Sequence, residues 1–230
     1  MAVPGQRNFA DRGTLTEAVA RELAVLIERA LARRGRACLL VPGGSTPGPI
    51  LERLAMLPLP WSRVSFGLGD ERWVAPEHAD SNERMLRKAL AGRPGAAARV
   101  IGLYRPGQTP EQAATARLPP GLAPPFDAVM LGMGADGHFA SLFPQAPGLP
   151  AALAGDGAPL LAVLPPAAPG PRLSLTLAAL LDTRALLLVA TGADKRAVLQ
   201  QASLPGPDHT PPLRALLRQR RTPLAVRWAP

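Results

Sequence analysis

Length, composition and charge exclude several classes of protein. The chain has 230 residues, 47% of them hydrophobic, and a formal net charge of +9, which is enough apolar material for one folded core. The stretch MAVPGQRNFADRG lacks the hydrophobic segment of a signal peptide, and no apolar run approaches membrane-spanning length. We therefore expect a cytoplasmic protein that does not insert into a membrane.

The positive charge does not by itself indicate a nucleic-acid partner. The basic residues are scattered and mostly arginines, and one tyrosine and five phenylalanines offer little surface for stacking bases. The basic run LLRQRR at residues 216–221 is typical of the solvated end of a C-terminal helix. A small anionic substrate needs only a few of these charges, so we expect no nucleic-acid partner.

Strands and helices alternate along the chain. Residues 14–33 predict a helix, because Thr14 and Glu17 have the spacing of a capping box and apolar residues recur on one face. The next elements are a strand at 37–41, a helix at 47–57, a strand at 64–68 and a helix at 81–90. Further strands are predicted at 99–103, 126–133, 160–164, 172–177 and 185–191, with a weaker helix between the first two. The strand at 172–177 alternates like a half-exposed antiparallel strand.

This order of elements predicts an α/β fold. We expect a doubly wound, mostly parallel sheet flanked by helices, with a small mixed edge or subdomain, forming a single domain over residues 1–230. Right-handed crossovers place the loops after parallel strands on one edge, where open α/β sheets bind ligands. The candidate site therefore lies in those loops.

The first such loop is VPGGSTPGPIL. Gly43 and Gly44 allow a tight turn with exposed N–H groups, Ser45 and Thr46 add hydroxyls, and Pro47 stands where a helix would begin. The loop is either a phosphate cradle at a helix N-terminus or a plain turn capped by Ser45 or Thr46. It lacks the lysine and the spacing of a nucleotide-binding P-loop.

The second loop, GLGDERWVAPEHADSN, follows the strand at 64–68 and is rich in charge. Its charged residues, with Asp70 and Arg72 first after the strand, are either placed for function or form a salt-bridged loop. His78 has acidic neighbours but no second histidine at ligand spacing, and Cys38 is the only cysteine. We therefore expect no metal site and no disulfide framework.

The third loop lies in FDAVMLGMGADGHFASLFP and contains the pattern G-x-G-x-x-G. A dinucleotide fingerprint belongs to the first βα unit and has an acidic residue after the next strand. This pattern occurs late in the chain, and the nearest candidate acid, Asp156, precedes a strand. The glycines instead bring the backbone close to a ligand and present Asp136 and His138, a residue suited to proton transfer at neutral pH.

Together these segments resemble the 6-phosphogluconolactonase family. The resemblance rests on VPGGSTPGPILERL, GDERWVAPEHADSNERML, FDAVMLGMGADGHFASLFP, RLSLTL and VATGADKRAVL, in order over roughly residues 14–202. It implies a fold shared with glucosamine-6-phosphate deaminase/isomerase, the alternative function. The deaminases have an AFNEP-like segment whose glutamate assists ring opening, whereas this chain has ASLFP. A third possibility is a non-catalytic sugar-phosphate-binding module, which would need no histidine. Phe139 departs from the lactonase pattern, in which threonine commonly follows the histidine.

The resemblance implies roles for individual residues. His138 would act as general base and then general acid in hydrolysis of a sugar-phosphate lactone, the expected small-molecule partner. Asp136 would either orient the histidine or hold sugar hydroxyls, and Asp70 would hold sugar hydroxyls. The groups implied to bind the lactone, chiefly its phosphate, are Gly43, Gly44, Ser45, Thr46, Arg72, Arg172 and Lys195. No cofactor is implied, and we expect a monomer or a weak homo-oligomer.

Overall fold

A computed structural model describes residues 5–166 and 168–230 of the chain. Its strands are β1 (Gln6–Asn8), β2 (Ala37–Val41), β3 (Val64–Leu68), β4 (Asp70–Arg72), β5 (Arg99–Val100), β6 (Ala128–Leu131), β7 (Leu160–Val163), β8 (Arg172–Leu175), β9 (Leu186–Thr191) and β10 (Leu224–Ala229). Its α-helices are α1 (Arg12–Arg34), α2 (Pro47–Ala55), α3 (Asn82–Leu90), α4 (Pro110–Ala114), α5 (Leu149–Leu153), α6 (Leu177–Leu181), α7 (Ala193–Ala202) and α8 (Leu213–Arg218). Residues 1–4 and Ala167, which belong to the single domain expected over 1–230, lie outside the described residues.

The strands of the described residues form two β-sheets. Seven strands form a parallel sheet in the order β1-β10-β9-β6-β2-β3-β5, and three strands form an antiparallel sheet in the order β4-β8-β7. The central strands β6 and β9 are buried along their whole length because helices cover both faces of the large sheet. The predicted fold class, a mostly parallel sheet with a small additional subdomain, is confirmed.

The first three helices, α1, α2 and α3, form a packed layer beside the large sheet. α1 packs against α2 and β10, and α2 packs against α3. Apolar residues on one side of α1, such as Leu15, Val19 and Leu23, join the main core. Over the part of the chain that is described, no helix is both long and apolar enough to cross a membrane.

The start of α1 differs from the prediction. The N-cap is Asp11, whose carboxylate accepts from the Thr14 N–H at 2.7 Å, so Thr14 belongs to the first turn. Glu17 takes no part in capping. Its carboxylate instead accepts from Arg53 of α2 at 2.5 Å, which links the two helices, and from Arg21 of α1 at 2.7 Å. The bond from Arg53, followed by that from Arg21, lowers the pKa of Glu17 to about 2. Asp has the same short acceptor geometry as Thr and reaches the free amides one turn earlier.

Several strands and the C-terminal helix can also be compared with the sequence predictions. The segment predicted as a charged loop contains β4, and β8 is antiparallel as predicted but fully buried, because it lies between β4 and β7. The strand predicted at 99–103 is only two residues long, at Arg99–Val100. The C-terminal helix ends at Arg218, inside the basic run 216–221 as predicted. β1 and β10 were not predicted.

Candidate active site

A cleft of about 200 Å³ opens at the carboxyl edge of the parallel sheet. The loops after β2, β6 and β9 reach it, and β4 and β8 of the small sheet close one side. This is the position where open α/β sheets bind ligands. Its lining includes the predicted residues Gly43, Gly44, Ser45, Thr46, Asp70, Arg72, His138, Arg172 and Lys195. Asp136 is not part of the lining but contacts His138.

The loop between β2 and α2 presents free backbone donors to the cleft. Within the described residues, the N–H groups of Gly44, Ser45 and Thr46 donate to no protein acceptor. Thr46 occupies the N-cap position of α2, yet its side chain does not cap the helix and lies 3.4 Å from the Thr191 hydroxyl. Free amides at the N-terminus of a helix attract an anion.

Two arginines stand opposite each other where β4 pairs with β8. Arg72 and Arg172 are register partners, and like charges placed directly across a sheet repel. The Nε of each is buried and has no hydrogen-bond partner among the described residues. Burial of Arg172, followed by the charge of Arg72, lowers the pKa of the Arg172 guanidinium. Together the two arginines bring two positive charges to this side of the cleft.

Lys195 adds a third cation from the first turn of α7 and is half-buried. In residues 5–166 and 168–230, neither it nor the two arginines form an ion pair with a carboxylate. Asp70 is the carboxylate that lines the cleft. The cleft therefore has an excess of positive charge and suits an anionic ligand.

Glu71 holds β4 against α3. Its buried carboxylate accepts from the N–H groups of Arg72, Asn82 and Glu83 at 2.7–2.8 Å and from the Ser81 hydroxyl at 3.1 Å. Burial raises the pKa of Glu71, although these donors oppose the change. Ser81 is the N-cap of α3, so the helix begins one residue after the predicted start at 81. Glu71 thus has a structural role.

Asn82, the first residue of α3, was not singled out from the sequence. Its Nδ2 donates to the main-chain oxygen of Asp70 at 2.9 Å, and the side chain lines the cleft. Its Oδ1 is buried and accepts no hydrogen bond from the part of the chain that the structure describes. The dipeptide Ser81-Asn82 at a helix start carried only a capping signal in the sequence.

Asp70 is held by the segment that follows His138. Its Oδ2 accepts from the Ser141 hydroxyl at 2.6 Å, and the Ser141 N–H donates to the Ser174 hydroxyl at 3.1 Å. All three residues are buried. This network fixes one carboxylate oxygen of Asp70 beside the cleft.

The loop after β6 forms a tight turn that brings His138 against Asp136. The Nδ1 of His138 lies 2.6 Å from Oδ1 of Asp136, and the His138 N–H donates to the same oxygen at 3.1 Å. The side chains are 27% and 47% exposed, respectively. Partial burial acts to raise the pKa of Asp136, but hydrogen bonding and the charge of His138 outweigh it, so the pKa is lowered.

Two glycines make this turn possible. A Cβ on Gly134 would lie 2.2 Å from Cε1 of His138 and 2.5 Å from the Asp136 carboxylate. Gly137 has φ +80°, and a Cβ there would lie 2.4 Å from Pro211. The G-x-G-x-x-G pattern therefore forms the turn that presents a histidine, as predicted, and no helix begins at its third glycine.

A loop that is distant in sequence supports the turn from outside. The Leu213 N–H donates to the Gly137 carbonyl at 2.9 Å. The preceding loop is organised by Arg214, which is 5% exposed and donates to carbonyls of Gln201, Leu204, Pro207 and Thr210. Arg214 is thus a buried arginine whose donors are used.

The remaining predictions concern Phe139, Cys38 and metal ligands. The Phe139 side chain is buried in the main core and does not line the cleft. Cys38 is unpaired, and burial raises the pKa of its thiol to about 11. Among the described residues, no group of three or more His, Cys, Asp or Glu side chains is placed to hold a metal ion.

Comparison with known proteins assigns the family. The model of the family described as glucosamine-6-phosphate isomerases/6-phosphogluconolactonase matches residues 10–226. The chain belongs to the glucosamine-6-phosphate isomerase/6-phosphogluconolactonase family. A curated family member from Pseudomonas putida, named 6-phosphogluconolactonase, is 41% identical over 96% of this chain and 91% of its own length. The resemblance found in the sequence is confirmed.

Solved structures of the family have the same fold. The crystal structure of a 6-phosphogluconolactonase from Shewanella baltica matches with a TM-score of 0.91 at 36% identity, covering 98% of this chain and 97% of that one. A monomeric glucosamine-6-phosphate deaminase matches with a TM-score of 0.76 at 16% identity, covering 97% and 96%. The second match shows that the fold extends to a deaminase.

Proposed function

We propose that this chain hydrolyses 6-phospho-D-glucono-1,5-lactone to 6-phosphogluconate in the oxidative pentose phosphate pathway. The observation that carries the proposal is the His138–Asp136 pair, with 2.6 Å between Nδ1 and Oδ1, beside a cleft with three cations. Curated relatives named 6-phosphogluconolactonase are 39–41% identical over more than nine-tenths of the chain.

The phosphate of the lactone binds where the free donors converge. The N–H groups of Gly44, Ser45 and Thr46 supply neutral donors, and Arg72, Arg172 and Lys195 supply positive charge. A phosphate dianion in the cleft accepts from these backbone N–H groups and from the three cationic side chains that line it. Binding it also neutralises the repulsion between Arg72 and Arg172.

His138 transfers the protons of the reaction. Because Nδ1 faces the Asp136 carboxylate, Nδ1 holds its proton there and Nε2 is left as the base. Nε2 takes a proton from water as the water oxygen bonds to C1. The resulting oxyanion is stabilised by nearby amides and cations. When the bond from C1 to the ring oxygen breaks, the ring oxygen receives the proton from the imidazolium, and the new carboxylic acid ionises in solvent.

The two carboxylates have separate roles in this proposal. Asp136 orients the imidazole and stabilises its protonated form, because it contacts both the ring and the backbone of His138. Asp70 accepts hydrogen bonds from sugar hydroxyls, because Ser141 occupies only one of its oxygens. The side of the cleft near Asp70 therefore recognises the sugar.

The remaining parts of the proposal concern the setting of the reaction. We place the protein in the cytoplasm as a single domain over residues 1–230, acting as a monomer or a weak homo-oligomer. Its partner is the lactone, without nucleic acid, membrane, metal or other cofactor. Light scattering tests the oligomeric state, and full activity in EDTA tests the metal independence.

The decisive experiment is hydrolysis of freshly prepared lactone, followed by acid release and corrected for spontaneous hydrolysis. We expect the wild type to accelerate it and His138→Asn to lower kcat by roughly 10²- to 10⁴-fold, with little change in KM, because the phosphate contacts remain. Ammonia release from glucosamine 6-phosphate would instead assign the deaminase function. A near-normal kcat for His138→Asn would transfer the role of base to Asp136 or Asp70.

A further inference from the structure

Phe143 contacts two of the polar groups in the site. Its ring centroid lies 4.2 Å from that of His138, with 35° between the ring planes. The guanidinium carbon of Arg172 lies 5.4 Å from the same centroid, within the range of a cation–π contact. Phe143 does not line the cleft.

The ring is itself held in place. Phe143 is 7% exposed and packs with Ala146 and Val163 in a small apolar cluster separate from the main core. Val163 of β7 is the register partner of Arg172 in β8. The cluster therefore attaches the segment that follows His138 to the small sheet that carries Arg172.

We propose that Phe143 is a positioning residue that sets the imidazole of His138 and the guanidinium of Arg172 relative to each other. The inference rests on the proposed function, in which one group transfers protons and the other binds phosphate. The two groups come from different sheets, and their relative placement decides how the carbonyl of a bound lactone meets the base. One rigid ring touching both groups fixes that placement.

The aromatic face is essential to this role. A flat ring restricts the tilt of the imidazole and attracts the guanidinium through its quadrupole. An aliphatic side chain at residue 143 would fill much of the volume but provide neither effect. Asp136, Asp70 and Lys195 also lie around His138 or the cleft, and none of them contacts both groups through an apolar face.

The test compares Phe143→Leu with Phe143→Tyr and with the control Phe66→Leu. Phe66 is a fully buried phenylalanine of β3 that stacks on Trp61 and does not line the cleft. We expect Phe143→Leu to lower kcat about ten-fold through misplacement of the base, and to raise KM roughly two- to five-fold through the lost guanidinium contact. Phe143→Tyr keeps the ring and restores both constants. Phe66→Leu loses thermal stability but keeps both constants per folded molecule.

Titration with inorganic phosphate gives a readout that does not depend on turnover. We expect Phe143→Leu to weaken phosphate binding roughly two- to five-fold relative to wild type and Phe66→Leu. The inference is overturned if Phe143→Leu behaves like Phe66→Leu, or if only one of kcat and KM changes. Phe143→Met replaces the leucine variant if that variant does not fold. An inactive wild type that still binds phosphate would instead refute the proposed lactonase function.

Discussion

Replacing Arg172 by methionine should stabilise the free protein while weakening its substrate binding. Arg172 is 8% exposed and faces Arg72 across the β4–β8 pair, and its Nε has no hydrogen-bond partner within residues 5–166 and 168–230. Asp70, Asp80 and Glu71 attract the guanidinium, but the pKa of Arg172 is nevertheless lowered, chiefly by burial. The charge of Arg172 therefore destabilises the ligand-free fold. Methionine has a side chain of similar length and carries no charge.

The size of the effect follows from these contacts. A buried donor without an acceptor costs about 1–3 kcal/mol, and the lost contact with Phe143 gives back about 0.5–1 kcal/mol. The middle of these ranges leaves a net gain of about 1.25 kcal/mol, which raises Tm by roughly 2–5 °C in a chain of this size. Loss of a charged hydrogen-bond donor to phosphate raises KM roughly 10- to 100-fold.

Arg214→Met is the matched control. Arg214 is also buried, but its guanidinium donates to four carbonyls, among them those of Leu204 at 3.0 Å and Pro207 at 2.8 Å. Its replacement removes four hydrogen bonds, among them the bond to the Thr210 carbonyl, and should lower Tm by several degrees. Both variants are measured by calorimetry in an amine buffer free of phosphate and sulfate, and then with added inorganic phosphate. Phosphate should raise Tm more for the wild type than for Arg172→Met.

An Arg172→Met variant whose Tm falls in the phosphate-free buffer as much as that of Arg214→Met would contradict this prediction. Arg172 would then be a structural residue whose charge is balanced within the protein. An unchanged KM would separately remove Arg172 from the phosphate site.

Three further variants test other parts of the site. Lys195→Ala should raise KM roughly 5- to 20-fold in the lactone assay with a smaller change in kcat, because one half-buried cation is lost. A loss of kcat with unchanged KM would contradict a phosphate-binding role for Lys195. Gly134→Ala should lower kcat by about 10²-fold, because its Cβ would displace the ring of His138; normal turnover would show that the turn adapts. Glu71→Gln should lower the free energy of unfolding, measured in urea, by about 1–3 kcal/mol, because an amide NH₂ would face a backbone N–H. An unchanged free energy of unfolding would mean that the carboxylate is not needed for stability.

The buried strands of the large sheet could be predicted because their apolar runs are continuous. β2 and β3 have the predicted bounds. β10 was missed because Arg227 interrupts its apolar pattern. In the fold that charge pairs with Glu22 of α1 at 2.9 Å. A tertiary ion pair of this kind leaves no signal in the local sequence.

Part of the candidate site could be predicted from the order of the strands, and part of it could not. The rule that loops after parallel strands share one edge brings together the loops that hold Ser45 and His138. It does not predict the β4–β8 pairing, which joins segments far apart in sequence and places Arg72 opposite Arg172. The contact of Phe143 with Arg172 depends on that pairing, and the contact of Asn82 with Asp70 depends on the packing of α3 against β4, so both residues were missed. The roles assigned to the site residues stay predictions until the variants are measured.

The order of the large sheet also constrains how the protein can be made. β10 lies between β9 and β1 and pairs with both. Of these three strands β1 is synthesised first and β10 last, so β1 has no partner until β10 has been made. Until β10 emerges, β9 presents an open, apolar edge, and such edges pair readily with other chains. Aggregation should therefore compete with folding chiefly before this last strand is added. Changes that slow β10 docking, such as loss of the Arg227–Glu22 pair, would then reduce soluble yield more than they reduce the activity of the molecules that fold.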